Sequence, residues 1–203
     1  MNQLPTLAEE IVRRHAEWVV CWHESETPPA RDLPWSIVEQ NHRMNFDLWH
    51  EEDTARRDDL GDGHVKHAKR NIDRFNQART NAIEQLDDWF CQQLPPANPK
   101  SPLNSETPGQ IIDRLSILAL KIFHMQIEAS RESAPAEQRR KCAEKYVVLE
   151  EQLRDLKNCL DELLRELQAG TRRFKIYRQH KMYNDAALNP ALYAKAAPSK
   201  SPA

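Results

Sequence analysis

Residues 142–177 read CAEKYVVLEEQLRDLKNCLDELLRELQAGTRRFKIY, and this stretch decides the fold class. A seam recurs there at alternating intervals of three and four residues: Cys142, Tyr146, Leu149, Leu153, Leu156, Leu160, Leu163, Leu167, Gly170, Phe174 and Tyr177. A repeat of 3.5 residues keeps one helix face turned toward a partner helix over many turns. The stretch therefore predicts one long helix packed along others, from about Pro135 to Tyr183, with any bend at Gly170.

Prolines divide the rest of the chain into helical patterns. Four further helices are predicted at about 6–23, 34–59, 64–93 and 108–130. No run of residues shows the alternation typical of a strand. The sequence thus predicts an all-α, elongated bundle of about five helices forming a single domain over residues 1–187. Residues 188–203 are rich in Ala, Pro, Ser and Lys and are expected to be a flexible tail.

The fourth predicted helix is apolar almost all round, which is typical of a helix at the centre of a domain or in an oligomer interface. Its start has the pattern of a capping box, with Thr107 as the N-cap, Pro108 in the first turn and Gln110 reaching back. Gly109 would let a ligand approach the free N–H groups of this turn, which favour anions. Alternatively, Gly109 only lets a neighbouring helix pack closely.

Composition excludes several classes of protein. The chain has 203 residues, of which 30% are charged, and a net charge of −2, so a dedicated nucleic-acid binder is not expected. Mean hydropathy is −0.80, and no apolar run approaches the roughly 20 residues that span a bilayer. The four cysteines are far apart and the N-terminus lacks the pattern of a signal peptide. A cytoplasmic protein with reduced thiols is expected.

The second predicted helix carries polar residues where a core stripe should be. Asn41, Asn45 and Glu52 fall on the apolar stripe, and His42 and Asp53 lie on its flank. Buried amides and carboxylates need hydrogen-bond partners. The pattern indicates a structural polar network, a ligand site between helices, or a helix more exposed than its neighbours. If chemistry occurs, His42 or His50 with Glu52 or Asp53 is the expected acid–base pair.

The spacing of Glu39 and His42 is that of di-iron helix bundles, but no second Glu-x-x-His occurs in the chain. The sequence therefore indicates no metal ligands, and the cofactor stays unknown at this point. A basic cluster ends the fifth predicted helix, and an acidic cluster ends the second. The two could pair within the fold or across a dimer, or the basic end could face a phosphorylated ligand. The basic cluster comprises Arg172, Arg173, Lys175, Arg178, His180 and Lys181; the acidic one comprises Glu51, Glu52, Asp53, Asp58, Asp59 and Asp62.

Three stretches resemble a bacterial family of unknown function, the domain-of-unknown-function family 4254. They read NHRMNFDLWHEED at 41–53, NSETPGQIIDRLSIL at 104–118 and FKIYRQHKMYND at 174–185, and the resemblance extends over about 6–190. It implies at most a role near nucleotide-sugar chemistry, because members are often encoded near glycosyltransferases of cell-surface polysaccharide assembly. A glycosyltransferase is accordingly a candidate partner.

The leading prediction is a cytoplasmic protein that binds, and could act on, an anionic phosphorylated ligand such as a nucleotide sugar or glycan precursor. The alternatives are a helical scaffold that docks a partner enzyme and, third, a metal-dependent hydrolase. In the leading prediction the Thr107 helix start, Arg178 and Lys181 hold the phosphate. The remaining candidates orient the ligand: Asn41, His42, Asn45, Glu52, Asp113 and Arg114. Surplus apolar residues at Val147, Val148 and Leu164 predict a homodimer.

Overall fold

Five α-helices account for the regular structure of the described residues, in a computed structural model that describes residues 6–25, 28–179 and 187–190. The helices are α1 (Leu7–Glu24), α2 (Trp35–Ala55), α3 (Asp62–Gln93), α4 (Pro108–Ser130) and α5 (Ala136–Gln168). A 3-10 turn at Asp58–Leu60 connects α2 to α3. The all-α prediction is confirmed, and the first four helices begin and end within a few residues of their predicted bounds. None of the described helices combines the length and the apolar content needed to cross a bilayer.

Helix α4 lies at the centre of the bundle, where it contacts all four other helices. Most residues of its first four turns are buried, as its apolar pattern predicted, but one stripe with Gln110, Arg114 and Lys121 is exposed. Its start is the predicted capping box. The Gln110 backbone N–H donates to Thr107 Oγ1 at 3.2 Å, and the Thr107 N–H donates to Gln110 Oε1 at 2.9 Å. The last turns are less covered, and Ile127 is 46% exposed.

Helices α1, α2 and α4 run parallel and in register, which stacks their side chains in three layers. The first layer joins His15, His42 and Ser116. Four residues further along each helix, Val19, Phe46 and Leu120 form a small apolar cluster. Another four residues on, His23, His50 and His124 meet. An interval of four residues is about one helical turn, so each helix presents the same face to all three layers.

The fifth helix ends at Gln168, so its predicted extension to Tyr183 is wrong. Gly170 adopts φ +71°, the left-handed conformation that glycine takes readily. The Gly170 N–H donates to the Leu167 carbonyl and the Thr171 N–H to the Glu166 carbonyl, which together form a Schellman cap. Gly170 is therefore the stop signal of the helix rather than a bend within it.

Beyond this cap the chain is extended and lies along the loop between α3 and α4. The Asn104 N–H donates to the Arg173 carbonyl at 2.7 Å, and the Arg173 N–H donates to the Pro102 carbonyl at 3.0 Å. Phe174 packs against the main core from this segment rather than from a helix. The predicted seam therefore leaves the helix after Leu167.

The seam within α5 is buried along its second half. Leu156, Leu160, Leu163 and Leu167 belong to the main core. Leu164 is only 2% exposed, so it packs within the protomer and adds no surplus surface. Val147 and Val148, in the first half of α5, are 63% and 51% exposed.

Candidate functional site

The polar residues of α2 form a buried network with α4. Asn41 and Asn45 each donate from Nδ2 to Asp113 Oδ1 at 2.9 Å, and Asn45 also donates to Ser116 Oγ at 2.9 Å. All four residues are at most 4% exposed. The inward orientation expected for Asn41 and Asn45 is thus observed, and their partners lie in the second and third turns of α4.

Arg79 of α3, which was not among the predicted ligand-binding residues, supplies the cation of this network. Its Nε donates to Asp113 Oδ1 at 2.7 Å and its Nη2 to Asp113 Oδ2 at 2.5 Å. The Asp113 carboxylate raises the pKa of Arg79. A two-point pair of this kind fixes the guanidinium plane as well as its charge.

His42 continues the network toward α1. Its Nε2 lies 3.0 Å from the His15 carbonyl, which can only accept, so Nε2 carries the proton. Burial lowers the pKa of His42 well below its ordinary value, so the ring is neutral and Nδ1 accepts from the Ser116 hydroxyl at 2.7 Å. The His15 ring stacks on His42 with centroids 4.4 Å apart. His42 is completely buried, so it lacks the solvent contact expected of an acid–base residue acting on an open site.

A pocket of about 450 Å³ opens beside this network, between α2, α3 and α4. We call it the α2–α3 pocket; its lining is Asn45, Leu48, Trp49, Glu52, Asp53, Arg56, Asn76, Arg79, Ile117 and Leu120. Glu52 does not point into the bundle as expected, because its side chain is 48% exposed and lies 3.4 Å from Arg56. The structure nevertheless brings Asn45, Glu52 and Asp53 together at one pocket.

The start of α4 is occupied by an acidic side chain of the protein itself. Asp87 Oδ1 accepts from the Gly109 N–H at 2.7 Å, and the Asp87 carboxylate is also hydrogen-bonded to Thr107. A Cβ at Gly109 would lie 2.6 Å from the Ile83 carbonyl oxygen and 2.7 Å from Asp87 Oδ1. Gly109 therefore permits both the close packing of α3 and the approach of an anion, and here the anion is Asp87. Burial raises the pKa of Asp87 to about 6.

The other predicted cations lie apart from the α2–α3 pocket. Arg178 binds Glu84 at 3.0 Å and Asp88 at 2.6 Å, both on α3. Its charge also lowers the pKa of Asp87, so Arg178 does lie near the α4 start. Arg114 is exposed and binds Glu106 at 2.8 Å. Lys181 lies outside the described residues.

The third layer of the parallel helices brings three histidines together. His23, His50 and His124 each offer a ring nitrogen, and these three nitrogens lie within 4.8 Å of one another. The rings sit among Phe46, Trp49 and Phe123; Trp49 stacks on His124 with centroids 4.5 Å apart. We call this group the three-histidine cluster. The sequence analysis missed it, although each of the three helices carries its histidine four residues after an apolar residue of the second layer.

One comparison with known proteins gives a match. The model of a family described as a protein of unknown function, DUF4254, matches residues 35–176. The chain belongs to the DUF4254 family. The match begins at α2 and ends just after Phe174, so it is narrower than the predicted range of 6–190 and leaves most of the third motif outside. Neither a curated protein nor a solved structure matches this DUF4254 chain.

Proposed function

We propose that this DUF4254 protein binds a small anionic ligand with hydroxyl groups, such as a nucleotide sugar or glycan precursor, in the α2–α3 pocket. The main support for this proposal is the geometry of Arg79. Asp113 holds its Nε and Nη2, and none of its described contacts uses Nη1. The Arg79 side chain is 28% exposed and lines the pocket. A guanidinium fixed on one edge and open on the other is a preorganised receptor for phosphate or carboxylate.

The rest of the pocket fits the same ligand class. Arg56 lies on the rim, and its ion pairs with Glu52 and Asp53 are long, at 3.4 Å and 3.6 Å. An incoming phosphate can compete for such exposed pairs because each stabilises the protein by at most about 1 kcal/mol. Glu52, Asp53 and Asn76 supply acceptors for sugar hydroxyls, and Trp49 and Leu48 supply an apolar wall. The pocket size lies within the range of small-ligand sites.

In this proposal the phosphate does not bind at the positions that the sequence first indicated. The α4 start binds Asp87, and Arg178 and Arg114 are each paired with acidic side chains. A larger groove of about 840 Å³ runs between α4 and α5. Its lining has four carboxylates against three cations, and two of those cations, Arg114 and Arg172, bind Glu106 and Glu166. The α2–α3 pocket is lined by two arginines and two carboxylates, so the groove, with its excess of carboxylates, is the poorer receptor for an anion.

Calorimetric titration of the full chain with UDP-glucose, with UMP and with inorganic phosphate tests the proposal. Arg56→Gln is expected to weaken UDP-glucose binding by roughly tenfold or more, since a hydrogen bond to a charged group contributes about 1.5–3 kcal/mol. The matched control is Arg57→Gln, because Arg57 binds Asp59 and does not line the pocket. Equal binding by the two variants, or no saturable binding by the wild type, would contradict the proposal.

A double variant tests Arg79 without leaving a buried charge unpaired. Replacing Arg79 alone would strand Asp113, at a cost of about 3–5 kcal/mol. Arg79→Gln combined with Asp113→Asn removes both charges and keeps amides in their place. We expect this variant to remain helical by circular dichroism and to lose the binding of UDP-glucose.

A second candidate function is that of an interaction module formed by two copies of the chain. A groove of about 720 Å³ lies between α2, α4 and the first half of α5; we call it the apolar groove. Its floor includes Trp49, Met125, Val148 and Leu149, and its rim carries Lys121, Glu128, Lys141, Glu144 and Lys145. A rim with charges of both signs can complement itself across a two-fold axis.

A further inference from the structure

We propose that His23, His50 and His124 form a binding site for a divalent transition-metal ion that prefers imidazole ligands, with Zn²⁺ as the leading candidate. The proposal does not rest on the ligand pocket described above. It rests on three helices that deliver one histidine each to the same place. Their ring centroids are 5.2 Å, 5.4 Å and 6.0 Å apart.

These separations are close to those of a tetrahedral three-histidine site. With Zn–N bonds of about 2.0–2.1 Å, tetrahedral angles put the nitrogens about 3.3 Å apart and the ring centroids about 5.2 Å apart. The three nitrogens of the cluster lie within 4.8 Å of one another. Small side-chain rotations would therefore complete the geometry without movement of the helices.

The ring of His23 is held by a hydrogen bond from one of its nitrogens to its own helix. Its Nδ1 lies 2.7 Å from the Val19 carbonyl, one turn back on α1. A carbonyl can only accept, so Nδ1 carries the proton and Nε2 is left with its lone pair. A second-shell bond of this type fixes the tautomer and orientation of most metal-binding histidines.

His124 contributes a second independent observation. Its Nε2 is buried and has no hydrogen-bond partner among the described residues. A buried ring nitrogen without a partner is costly unless a bound group, such as a metal ion, satisfies it.

Packing alone does not account for the three histidines. One turn away, the same three helices fill the same position with Val19, Phe46 and Leu120. An apolar third layer would therefore suit the bundle, yet the chain places three imidazoles there. The cluster contains no thiolate or carboxylate ligand, and three imidazoles favour zinc or copper, nickel and cobalt over magnesium or calcium.

The exposure of the cluster indicates an open site rather than a closed structural one. His23 lies at the surface, so water can reach the remaining coordination position. Three protein ligands and one water are typical of catalytic zinc. Trp49, which stacks on His124, also lines the α2–α3 pocket. The metal site and the ligand pocket are thus neighbours.

The test uses the full chain, stripped with EDTA and titrated with Zn²⁺ and Co²⁺. We expect one Zn²⁺ per chain and a visible Co²⁺ absorption of the intensity typical of tetrahedral nitrogen and oxygen ligands. His23→Gln and His50→Gln should each weaken Zn²⁺ binding by roughly tenfold or more. The matched control is His67→Gln, an exposed histidine on α3, which should bind like the wild type.

Three outcomes would overturn the proposal. One is the absence of stoichiometric Zn²⁺ binding by the wild-type chain at micromolar concentration. Another is a Co²⁺ spectrum with thiolate charge-transfer bands, which would assign the metal to cysteines. The third is unchanged affinity in both cluster variants. The spectrum of the wild-type protein decides the case even if a variant fails to fold.

Discussion

At the scale of single residues, the buried ring of His15 is the clearest case of a side chain that lowers the free energy of unfolding. It is fully buried, and neither ring nitrogen has a hydrogen-bond partner among the described residues. Burial lowers its pKa to about 3 from an ordinary value of 6.5. Between these values the unfolded chain binds a proton that the folded chain does not. The stability that depends on neutral His15 is therefore complete above about pH 6.5 and is lost as the pH falls toward 3.

We expect His15→Leu to flatten this acid dependence. His15 alone should lower the wild-type free energy of unfolding by about 2 kcal/mol between pH 7 and pH 5. The variant lacks that contribution, although His42 retains its own. At pH 7 the variant should be as stable as the wild type or more so, because two unsatisfied nitrogens are removed. Urea midpoints at the two pH values measure both effects, with exposed His67→Gln as the control. A variant that loses as much stability on acidification as the wild type would contradict the assignment.

Gly109 gives a second prediction at this scale. Its missing Cβ leaves room for the Ile83 carbonyl and the Asp87 carboxylate, both under 3 Å from where a methyl group would lie. We expect Gly109→Ala to destabilise the protein by about 1–3 kcal/mol, because backbone and a buried side chain must move. Gly63, near the start of α3, would meet nothing within 4 Å. Gly63→Ala should change stability by less than about 1 kcal/mol, and if anything raise it. Similar losses in the two variants, measured by chemical denaturation, would argue against the close approach.

At the scale of helices, the seam of α5 predicts where truncation is costly. Leu160 is fully buried and Leu156 is 8% exposed, both within the main core. We expect Leu156→Ala and Leu160→Ala each to lower the free energy of unfolding by roughly 2–5 kcal/mol. The matched control is Val147→Ala, on the same helix but 63% exposed, which should stay within about 0.5 kcal/mol of the wild type. Equal unfolding midpoints for Leu160→Ala and Val147→Ala would refute the buried seam.

The helices could be predicted from the sequence because their signals are local. Thr107 and Gln110 are three residues apart, so the start of α4 follows from spacing alone. The end of α5 was also signalled locally, by Gly170, but the apolar residues beyond it continued the seam and outweighed that signal. Phe174 keeps the seam spacing while packing from an extended segment.

The site depends on contacts between different helices. The spacing of residues along one helix does not specify those contacts. The orientation of Asn41 and Asn45 was predictable because burial of an amide shows in the periodicity. Arg79 as the partner of Asp113, and Asp87 as the anion at Gly109, were not predictable, since α3 reads as an ordinary helix with a charged outer face. The three-histidine cluster required the parallel register of α1, α2 and α4, which no single helix reveals.

At the scale of the whole molecule, the three layers explain how one bundle can hold both a closed and an open polar site. The first layer is buried and its hydrogen bonds run from Asn45 through Ser116 and His42 to the His15 carbonyl. The second layer is apolar and separates it from the third. The third layer lies where the ends of α1, α2 and α4 emerge from the core. Position along the bundle therefore decides whether a histidine is closed off from solvent or is available to a ligand.

The surface of the whole molecule carries the last prediction, the homodimer of the second candidate function. The exposed apolar surface is smaller than the sequence indicated, because Leu164 and most of α4 are buried within the protomer. What is left is concentrated on the first half of α5, where Val147 and Val148 are exposed and Val148 lines the apolar groove. We expect sedimentation velocity to show a dimer at tens of micromolar, the range in which a modest apolar interface of this kind is populated. Val148→Glu should shift the chain to monomer, because a two-fold interface would bury both copies of the new charge. Val20→Glu, at a 42% exposed position on α1, should leave the dimer intact. A wild-type chain that sediments only as a monomer would leave the apolar groove without a second copy to cover it and would exclude this function.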